Sequence, residues 1–264
     1  MCIRDSLTLY VYSVDDAGRG TFLRRYATDA SGDQAISIVS NGAGTYNFTL
    51  KAPVSDLKAR QRFVFVANDA FDEPSPGESQ DELENKLAGI VLEEGHSADK
   101  LAAKGTGIAM SGIARSNSSD VVTITPGVKC EVSLRRIVAR VDVQNNTPNM
   151  TLESAVLVGA ATRGYLFAQA PLSAPVADRI VLGSNATVDL TEEHPALKPG
   201  ELFAPKTFRK TFYAYERPNT AGDYAAVRIT YRVNDSKGTV EVPFIRTEAG
   251  GAQTPVDIER NHLY

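Results

Sequence analysis

The hydrophobic pattern of the chain predicts many short β-strands separated by turns. In the first half, alternating or continuous apolar runs predict strands at 7–12, 21–25, 36–39, 46–50, 62–67, 108–112 and 120–125. In the second half they predict strands at 152–158, 164–167, 179–182, 187–190, 208–215, 227–233 and 239–245. Period-two alternation interrupted by Gly, Asn, Asp and Pro is typical of antiparallel strands. The run at 62–67 is apolar throughout, which favours a central strand covered on both faces.

The segment Val132–Val143 changes phase part-way along its length. Its apolar positions begin at Val132 and Leu134, and after two arginines they continue from Ile137 on the opposite parity. One extra residue turns the inward set of a strand to its other face. A β-bulge, or a strand that leaves one sheet and joins another, is therefore expected here. A short amphipathic helix is the alternative, although the β-branched content favours a strand.

This central segment lies between two halves with the same strand pattern. We predict two tandem β-sandwich domains, residues 1–145 and 146–264, with the boundary in the linker Gln144–Pro148. In the second half, Asn234–Gly238 is expected to join two strands as a hairpin. The inward side chains of the first of these strands are expected to be Val227, Ile229, Tyr231 and Val233. Pro243 predicts an edge position or a bulge for the second.

The stretch Asp72–Gly107 interrupts the strand pattern of the first half. Ser79 lies three residues before Glu82, which predicts a capping box at the start of a helix. The expected apolar stripe of that helix is Leu83, Leu87 and Ile90. An insertion of this kind serves either as a binding loop or as a cover over a sheet edge. The stripe fits a helix that lies against a sheet.

Composition excludes several classes of partner. The 264 residues carry 28 basic and 32 acidic side chains, a net charge of −4, without a block of like charge. Nucleic acid and anionic membrane surfaces are therefore not expected partners. No apolar run reaches the ~18 residues that a transmembrane helix needs. Cys2 and Cys130 have no spacing that supports a disulfide or a metal motif, so we expect one terminal thiol and one buried thiol.

The residue types that usually perform catalysis are scattered. His96, His194 and His262 have no second ligand at a chelating spacing, so solvated loop histidines are the preferred interpretation. No Gly-x-Ser-x-Gly elbow and no Cys/His arrangement occurs. The acidic turns Asp15–Asp16 and Asn234–Asp235 do not match calcium-loop spacing. We predict no enzyme, no catalytic residue, no cofactor and no metal site.

Several segments resemble signatures of the type V fimbrillins of the Bacteroidales, which include Mfa-like and anchor-type fimbrial subunits. The similar segments are Lys104–Gly112, Leu134–Val143, Phe212–Asn219 and Ile258–Tyr264, together with the strands Leu7–Tyr12 and Phe63–Asn68. They cover most of the chain in the order that the family shows. No signal peptide precedes Leu7, and the chain ends where the family continues into another strand, so we expect a fragment truncated at both ends.

The resemblance implies two transthyretin-like antiparallel β-sandwich domains, the first with a short helical insertion. It also implies export to the outer membrane as a lipoprotein and assembly by strand exchange, in which a neighbour's strand fills a groove left by proteolysis. Such a strand would satisfy unpaired backbone groups and cover exposed core. Arg4 is the candidate cleavage site, because it directly precedes the first strand.

The leading hypothesis is a non-enzymatic structural or adhesive subunit of a cell-surface fimbria, with other fimbrial subunits as partners. Host or bacterial surface ligands are further candidate partners. The alternative is a surface carbohydrate-binding or adhesin module that does not polymerise, and its sugar platform would come from the 10 Tyr and 10 Phe residues. An accessory domain of a hydrolase is a third, weaker hypothesis. The sequence does not distinguish stalk, tip and anchor subunits.

Overall fold

The computed structural model is built mainly of antiparallel β-strands, which confirms the predicted all-β class. It describes residues 7–42, 44–53, 57–68, 74–88, 108–145, 150–168, 171–172, 179–182, 209–233 and 235–264. The chain divides into two compact units. In the described ranges, the first unit holds the elements up to residue 137 and also residues 165–168. The second holds the elements from Val138 onward, apart from residues 165–168.

The first unit contains one large sheet. Its elements are β1 (Leu7–Val14), β2 (Gly20–Ala27), β3 (Ile36–Gly42), β4 (Thr45–Leu50), β5 (Arg60–Ala67), α1 (Gln80–Ala88), β6 (Met110–Ile113), β7 (Val122–Thr123) and β8 (Arg135–Arg136). The strand order is β2-β1-β5-β6-β8, and β7 pairs with the start of β5. All these pairings are antiparallel. The central position predicted for the 62–67 run is confirmed, since β5 lies between β1 and β6.

The core of the first unit lies between this sheet and the β3–β4 hairpin. Leu9 and Phe65 are fully buried on the sheet face that points to the hairpin. From the hairpin, Ile38, Phe48 and Leu50 pack against the same cluster. The rings of Phe48 and Phe65 meet edge to face, with their centroids 4.9 Å apart. Two layers of strands thus enclose one apolar interior, as the alternating pattern predicts.

The predicted capping box of α1 is confirmed. The hydroxyl of Ser79 accepts a hydrogen bond from the backbone N–H of Glu82 at 3.2 Å. The backbone N–H of Ser79 donates to the Glu82 carboxylate at 2.6 Å, and Leu83 is buried. Just before the helix, the carbonyl of Glu78 accepts from the N–H of Phe22 in β2 at 2.9 Å. The start of the insertion therefore lies along the edge of β2, which agrees with the predicted role of a cover over a sheet edge.

The second unit contains a four-stranded sheet and two strand pairs. Its strands are β9 (Val138–Gln144), β10 (Met150–Ala161), β11 (Arg179–Leu182), β12 (Arg209–Tyr215), β13 (Ala226–Val233), β14 (Ser236–Pro243), β15 (Ile245–Thr247) and β16 (Gln253–Pro255). The sheet order is β11-β10-β13-β14, while β9 pairs with β12 and β15 with β16. The tandem-sandwich arrangement with a boundary after residue 145 stays a prediction.

The phase change in Val132–Val143 corresponds to a change of sheet. Arg135 and Arg136 pair with β6 in the sheet of the first unit. From Val138 onward the chain pairs with β12. The strand interpretation is confirmed over the helical one. The single residue between the two strands, Ile137, is buried, and it absorbs the shift of parity that the sequence shows.

β14 is an edge strand of its sheet, as Pro243 predicts. The β13–β14 hairpin closes with Val233 opposite Ser236. The inward orientation predicted for β13 holds at Val227, which is buried, whereas Val233 at the hairpin end is 37% exposed. The Tyr231 ring covers Gly238: a Cβ at that glycine would lie 2.6 Å from the ring. A side chain at this position of the edge strand would therefore require the Tyr231 ring to move.

The strand predicted at 164–167 is wrong. These residues form bends rather than a ladder, and the buried Leu166 accepts a hydrogen bond from the Ser111 hydroxyl through its carbonyl. Gly164 allows close contact here, because a Cβ would meet the Tyr215 ring at 2.2 Å. The apolar content of 164–167 suggested a strand, but the buried Leu166 packs in the interior without pairing in a ladder. The strand predicted at 187–190 lies outside the described residues.

Candidate functional site: a strand-docking edge on β9

β9 pairs with a different segment along each of its two edges. On one edge it forms an antiparallel ladder with β12, with Val141 opposite Phe212. On the other edge it pairs in parallel with the four residues Asn261–Tyr264, here called the 261–264 segment. We call the β9 residues that face this segment, Val138, Arg140 and Asp142, the docking edge.

The docking edge and the 261–264 segment exchange backbone hydrogen bonds. The N–H of Arg140 donates to the carbonyl of His262, and the N–H of Asp142 donates to the carbonyl of Tyr264, both at 2.9 Å. In return the N–H of Tyr264 donates to the carbonyl of Arg140 at 2.9 Å. These bonds satisfy edge groups that would otherwise need water or another strand. This edge of β9 is thus paired by the chain's own 261–264 segment.

A turn at Asn261 directs the segment onto this edge. Asn261 has a positive φ of 62°, a left-handed conformation that asparagine tolerates better than most residues. Its backbone N–H donates to the carbonyl of Val138 at 2.9 Å. The chain therefore turns and makes its first docking contact at one residue.

Tyr264 holds the far end of the segment. Its hydroxyl donates to the carbonyl of Asp257 at 2.7 Å and accepts from the N–H of Glu259 at 2.9 Å. Its ring meets Phe244 edge to face, with the centroids 5.4 Å apart. Burial raises the pKa of Tyr264 above its ordinary value of 10.0, because it removes more solvation from the charged phenolate than from the neutral phenol.

Alkaline pH should therefore release the 261–264 segment. The pKa of Tyr264 is higher in the folded chain, so its contribution to stability is complete below the ordinary pKa and is lost as pH rises through the raised one. Ionisation also removes the proton donated to Asp257. We expect amide exchange of residues 261–264, corrected for intrinsic rates, to accelerate above pH 10 in the wild type. Tyr264→Phe should remove that pH dependence; an unchanged dependence would contradict this role.

A buried ion pair fixes the chain just before the segment. Arg260 and Glu216 form a two-bonded pair, with Nε–Oε2 at 2.8 Å and Nη2–Oε1 at 2.5 Å. Their side chains are only 5% and 3% exposed. Paired, charge-assisted hydrogen bonds of this geometry fix orientation as well as distance. Arg260 is thereby positioned one residue before the turn at Asn261.

The neighbouring Arg217 is fully buried and bonds mainly to backbone carbonyls. Its Nη1 donates to the carbonyl of Gly159, and its Nη2 donates to the carbonyl and carboxylate of Asp223 at 2.8 and 2.9 Å. Gly159 has a positive φ of 69° and lies where the β10–β11 register shifts. A Cβ there would lie 2.7 Å from the Tyr224 carbonyl. This glycine lets β10 present its carbonyl to the guanidinium.

Asn219 adds further bonds between residues 217–219 and residues 256–258. Its side-chain amide donates to the carbonyl of Val256 at 2.7 Å and accepts from the N–H of Ala225 at 3.0 Å. Its backbone N–H donates to the Asp257 carboxylate at 2.8 Å. The backbone of Arg217 pairs with that of Ile258 in both directions, at 2.8 and 3.0 Å. We call Glu216, Arg217, Asn219, Asp257 and Arg260 the clamp.

The clamp joins two of the segments quoted above for their resemblance to fimbrillins, Phe212–Asn219 and Ile258–Tyr264. Sequence analysis did not predict that they meet or that their charged residues are buried. One signal was available: Glu216 and Arg217 directly follow a strand with alternating apolar residues and precede a proline. The partner of Glu216 lies about forty residues further on, and nothing in the pattern of one sequence identifies such a pairing.

The structure describes three of the other candidate residues, each in its own local setting. His262 belongs to the 261–264 segment, and its Nδ1 lies 3.1 Å from the carbonyl of Arg260. Asp15 is a turn residue that accepts from the backbone N–H of Arg19 at 2.8 Å; this hydrogen bond lowers the pKa of Asp15. Cys130 is a half-buried free thiol with a pKa raised by burial. Arg4, His96 and His194 lie outside the described residues.

Within the described ranges, no group of three or more His, Cys, Asp or Glu side chains is placed to hold a metal ion. None of the helices in the same ranges has the length and apolar character needed to cross a membrane.

Comparison with known proteins finds one informative similarity. No protein-family model matches the chain, and no curated protein matches it. Among solved structures, it is similar to the tip fimbrial protein Mfa3 from Porphyromonas gingivalis with C-terminal truncation. The TM-score is 0.52 and the identity 16%, over 99% of this chain and 90% of that one.

The fold resembles that of a fimbrial protein. At 16% identity, the likeness to the Mfa3 structure concerns the fold alone. It spans nearly the whole of this chain, including both compact units, and agrees with the resemblance found in the sequence.

Proposed function

We propose that this protein is a structural or adhesive subunit of a cell-surface fimbria, whose partners are other fimbrial subunits. Two independent observations support this. The sequence carries fimbrillin-like segments in order along most of its length, and the fold is similar to that of a tip fimbrial protein over 99% of the chain.

We further propose that subunits join by β-strand complementation. The observation that carries this step is the docking edge of β9. Its Arg140 and Asp142 backbone groups pair in parallel with the chain's own 261–264 segment, and the Glu216–Arg260 ion pair of the clamp is buried just before that segment. In assembly, a strand from a neighbouring subunit would pair with this edge by the same backbone hydrogen bonds.

Nothing in the described residues favours the carbohydrate-binding alternative. A sugar platform needs exposed aromatic faces, but the largest rings belong to the interior: Tyr10, Tyr12, Tyr26, Phe65 and Phe212 are each at most 1% exposed. Among the large apolar side chains that are exposed in the described ranges, Tyr224, with 42% exposure, is aromatic. One exposed ring does not make a platform.

Immunogold electron microscopy of the cells that make the protein tests the proposal directly. An antibody against the exposed Asp15–Arg19 turn should label filaments on the cell surface, and cells lacking the gene should show no label. Label along filaments would identify a stalk subunit, label at their ends a tip subunit, and label at their bases an anchor. Diffuse label on a surface without filaments would contradict a fimbrial role.

A further inference from the structure

The outer edge of strand β14 is open to solvent. β14 is the last strand of its sheet in the described part of the chain, with β13 on its other side. Lys237, Thr239 and Glu241 are all exposed. On the other face of the strand, Val240 and Val242 are 43% and 47% exposed, which is high for valines in a sheet.

The pairing register shows which backbone groups point outward. The ladder with β13 closes at Val233 and Ser236, and a hairpin closed this tightly ends on a hydrogen-bonded pair. Even-numbered residues of β14 therefore bond to β13, while Lys237, Thr239 and Glu241 direct their N–H and C=O groups away from the sheet. Pro243 belongs to this outward set, where its missing N–H costs the sheet nothing.

We propose that β14 pairs with the β14 strand of a second copy of this chain, antiparallel, about a two-fold axis at Thr239. In this register Thr239 lies opposite Thr239, and Lys237 of each copy lies opposite Glu241 of the other. All three are outward-pointing residues, so the pairs form about six backbone hydrogen bonds, two for each opposing pair. The sheets of the two copies become one continuous sheet.

Charge selects this register over those with the axis at either charged residue of the strand. A two-fold axis at Lys237 sets two lysines opposite each other, and an axis at Glu241 sets two glutamates opposite each other. Like charges directly opposite in a ladder are destabilising, whereas opposite charges stabilise it. The axis at Thr239 forms two Lys–Glu pairs. Each charge also has a neighbour in its own copy, Glu153 for Lys237 and Arg228 for Glu241, which extends each pair into a network.

The apolar face gains contacts in the same register. Val240 of one copy lies opposite Gly238 of the other, next to the Tyr231 ring that covers that glycine. Because glycine has no side chain, the valine can approach the ring and lose water-exposed surface. The exposed Val240 of one copy is therefore covered at the Gly238 position of the other.

Lysines and prolines on an edge strand commonly prevent pairing with another chain. In β14 they restrict the length of the pairing without preventing it. Lys237 has a carboxylate opposite it, and Pro243 ends the ladder beyond Glu241. An interface this short lies below the area of stable complexes. We therefore expect a weak, reversible dimer that forms in the micromolar range or above.

Symmetry gives a sharp cross-linking test in the full chain, with Cys2 and Cys130 changed to serine. Opposing residues in a hydrogen-bonded antiparallel pair have Cα atoms ~5.5 Å apart, within the range of a disulfide. Thr239→Cys lies on the axis, so mild oxidation should give a disulfide-linked dimer. Lys237→Cys and Glu241→Cys should each cross-link at least tenfold more slowly alone and rapidly when mixed. Equal rates for all single variants would overturn the proposal.

Charge exchange gives a second test that does not depend on cysteine. K237E and E241K each set like charges opposite one another, so sedimentation should show at least tenfold weaker self-association for either variant. An equimolar mixture should restore association, because every cross-strand pair is then opposite in charge. K129E, an equal charge change at an exposed residue of the first unit, should associate like the wild type. No recovery in the mixture would refute the pairing and would leave the fimbrial proposal untouched.

Discussion

Glu216→Ala is expected to destabilise the second unit by about 3–5 kcal/mol, because it leaves the Arg260 guanidinium buried without its carboxylate. The pair is nearly inaccessible to water, so solvent cannot replace the lost partner. The 261–264 segment should also leave the docking edge, since Arg260 positions the turn at Asn261. Urea titration followed by hydrogen-exchange mass spectrometry measures both effects, and it reports each unit separately, which a single melting curve does not.

A double-mutant cycle shows whether the pair or the individual side chains matter. Glu216→Ala combined with Arg260→Ala should cost clearly less than the sum of the two single changes, since no unpaired charge remains. The matched control is Glu241→Ala, which breaks the exposed pair with Arg228 and should cost about 1 kcal/mol or less. Additive losses at Glu216 and Arg260 would show that the ion pair does not hold the clamp.

Arg217→Met should have a comparable effect by a different route. Methionine fills most of the space but donates no hydrogen bonds, so the carbonyl of Gly159 loses the guanidinium donor. The bonds to Pro218 and Asp223 are lost as well, although the Asp223 carbonyl keeps the N–H of Thr220. Leaving the Gly159 carbonyl unpaired costs roughly 1–3 kcal/mol, and the lost bonds to Pro218 and Asp223 cost about 1 kcal/mol each, which gives a total of roughly 3–5 kcal/mol. Exchange protection should fall first in β10 around Gly159 and in residues 256–260, because Arg217 connects these regions.

Arg217→Lys separates charge from geometry in this prediction. Lysine keeps the positive charge but cannot bond to two separate carbonyls in the fixed fork of a guanidinium. We expect it to recover less than half of the stability lost in Arg217→Met. Full recovery would mean that charge alone is needed, and the carbonyl contacts would then not explain the burial of this arginine.

Local patterns in the sequence predicted most of the strands of the described residues. Alternation identified β1, β2, β4 and β13, and the proline in β14 predicted its edge position. The parity shift before Ile137 predicted either a β-bulge or a change of sheet, and the structure shows the change of sheet. The segment 164–167 shows the limit of this approach: its apolar residues pack without pairing, and composition does not distinguish the two situations.

The candidate site was much less accessible from the sequence. The fimbrillin-like segments drew attention to the right residues, but their contacts arise from tertiary packing between residues about forty positions apart. Charged residues are usually solvated, so the weak signal at Glu216 and Arg217 did not predict their burial, and Arg260 carried no such signal. The parallel pairing of the 261–264 segment with β9 also depends on a backbone turn at Asn261 that propensity alone does not specify.

The most direct test of the account is whether the docking edge holds a strand that is no longer joined to the chain. A protease site placed at the exposed Gly250–Gly251 turn would cut the folded protein between β15 and β16. The account predicts that the released 252–264 fragment stays bound and exchanges slowly with a labelled peptide of the same sequence. A peptide with Arg260→Ala should compete at least roughly a hundredfold less well, the equivalent of about 3 kcal/mol. Immediate loss of the fragment, or equal competition by both peptides, would contradict it.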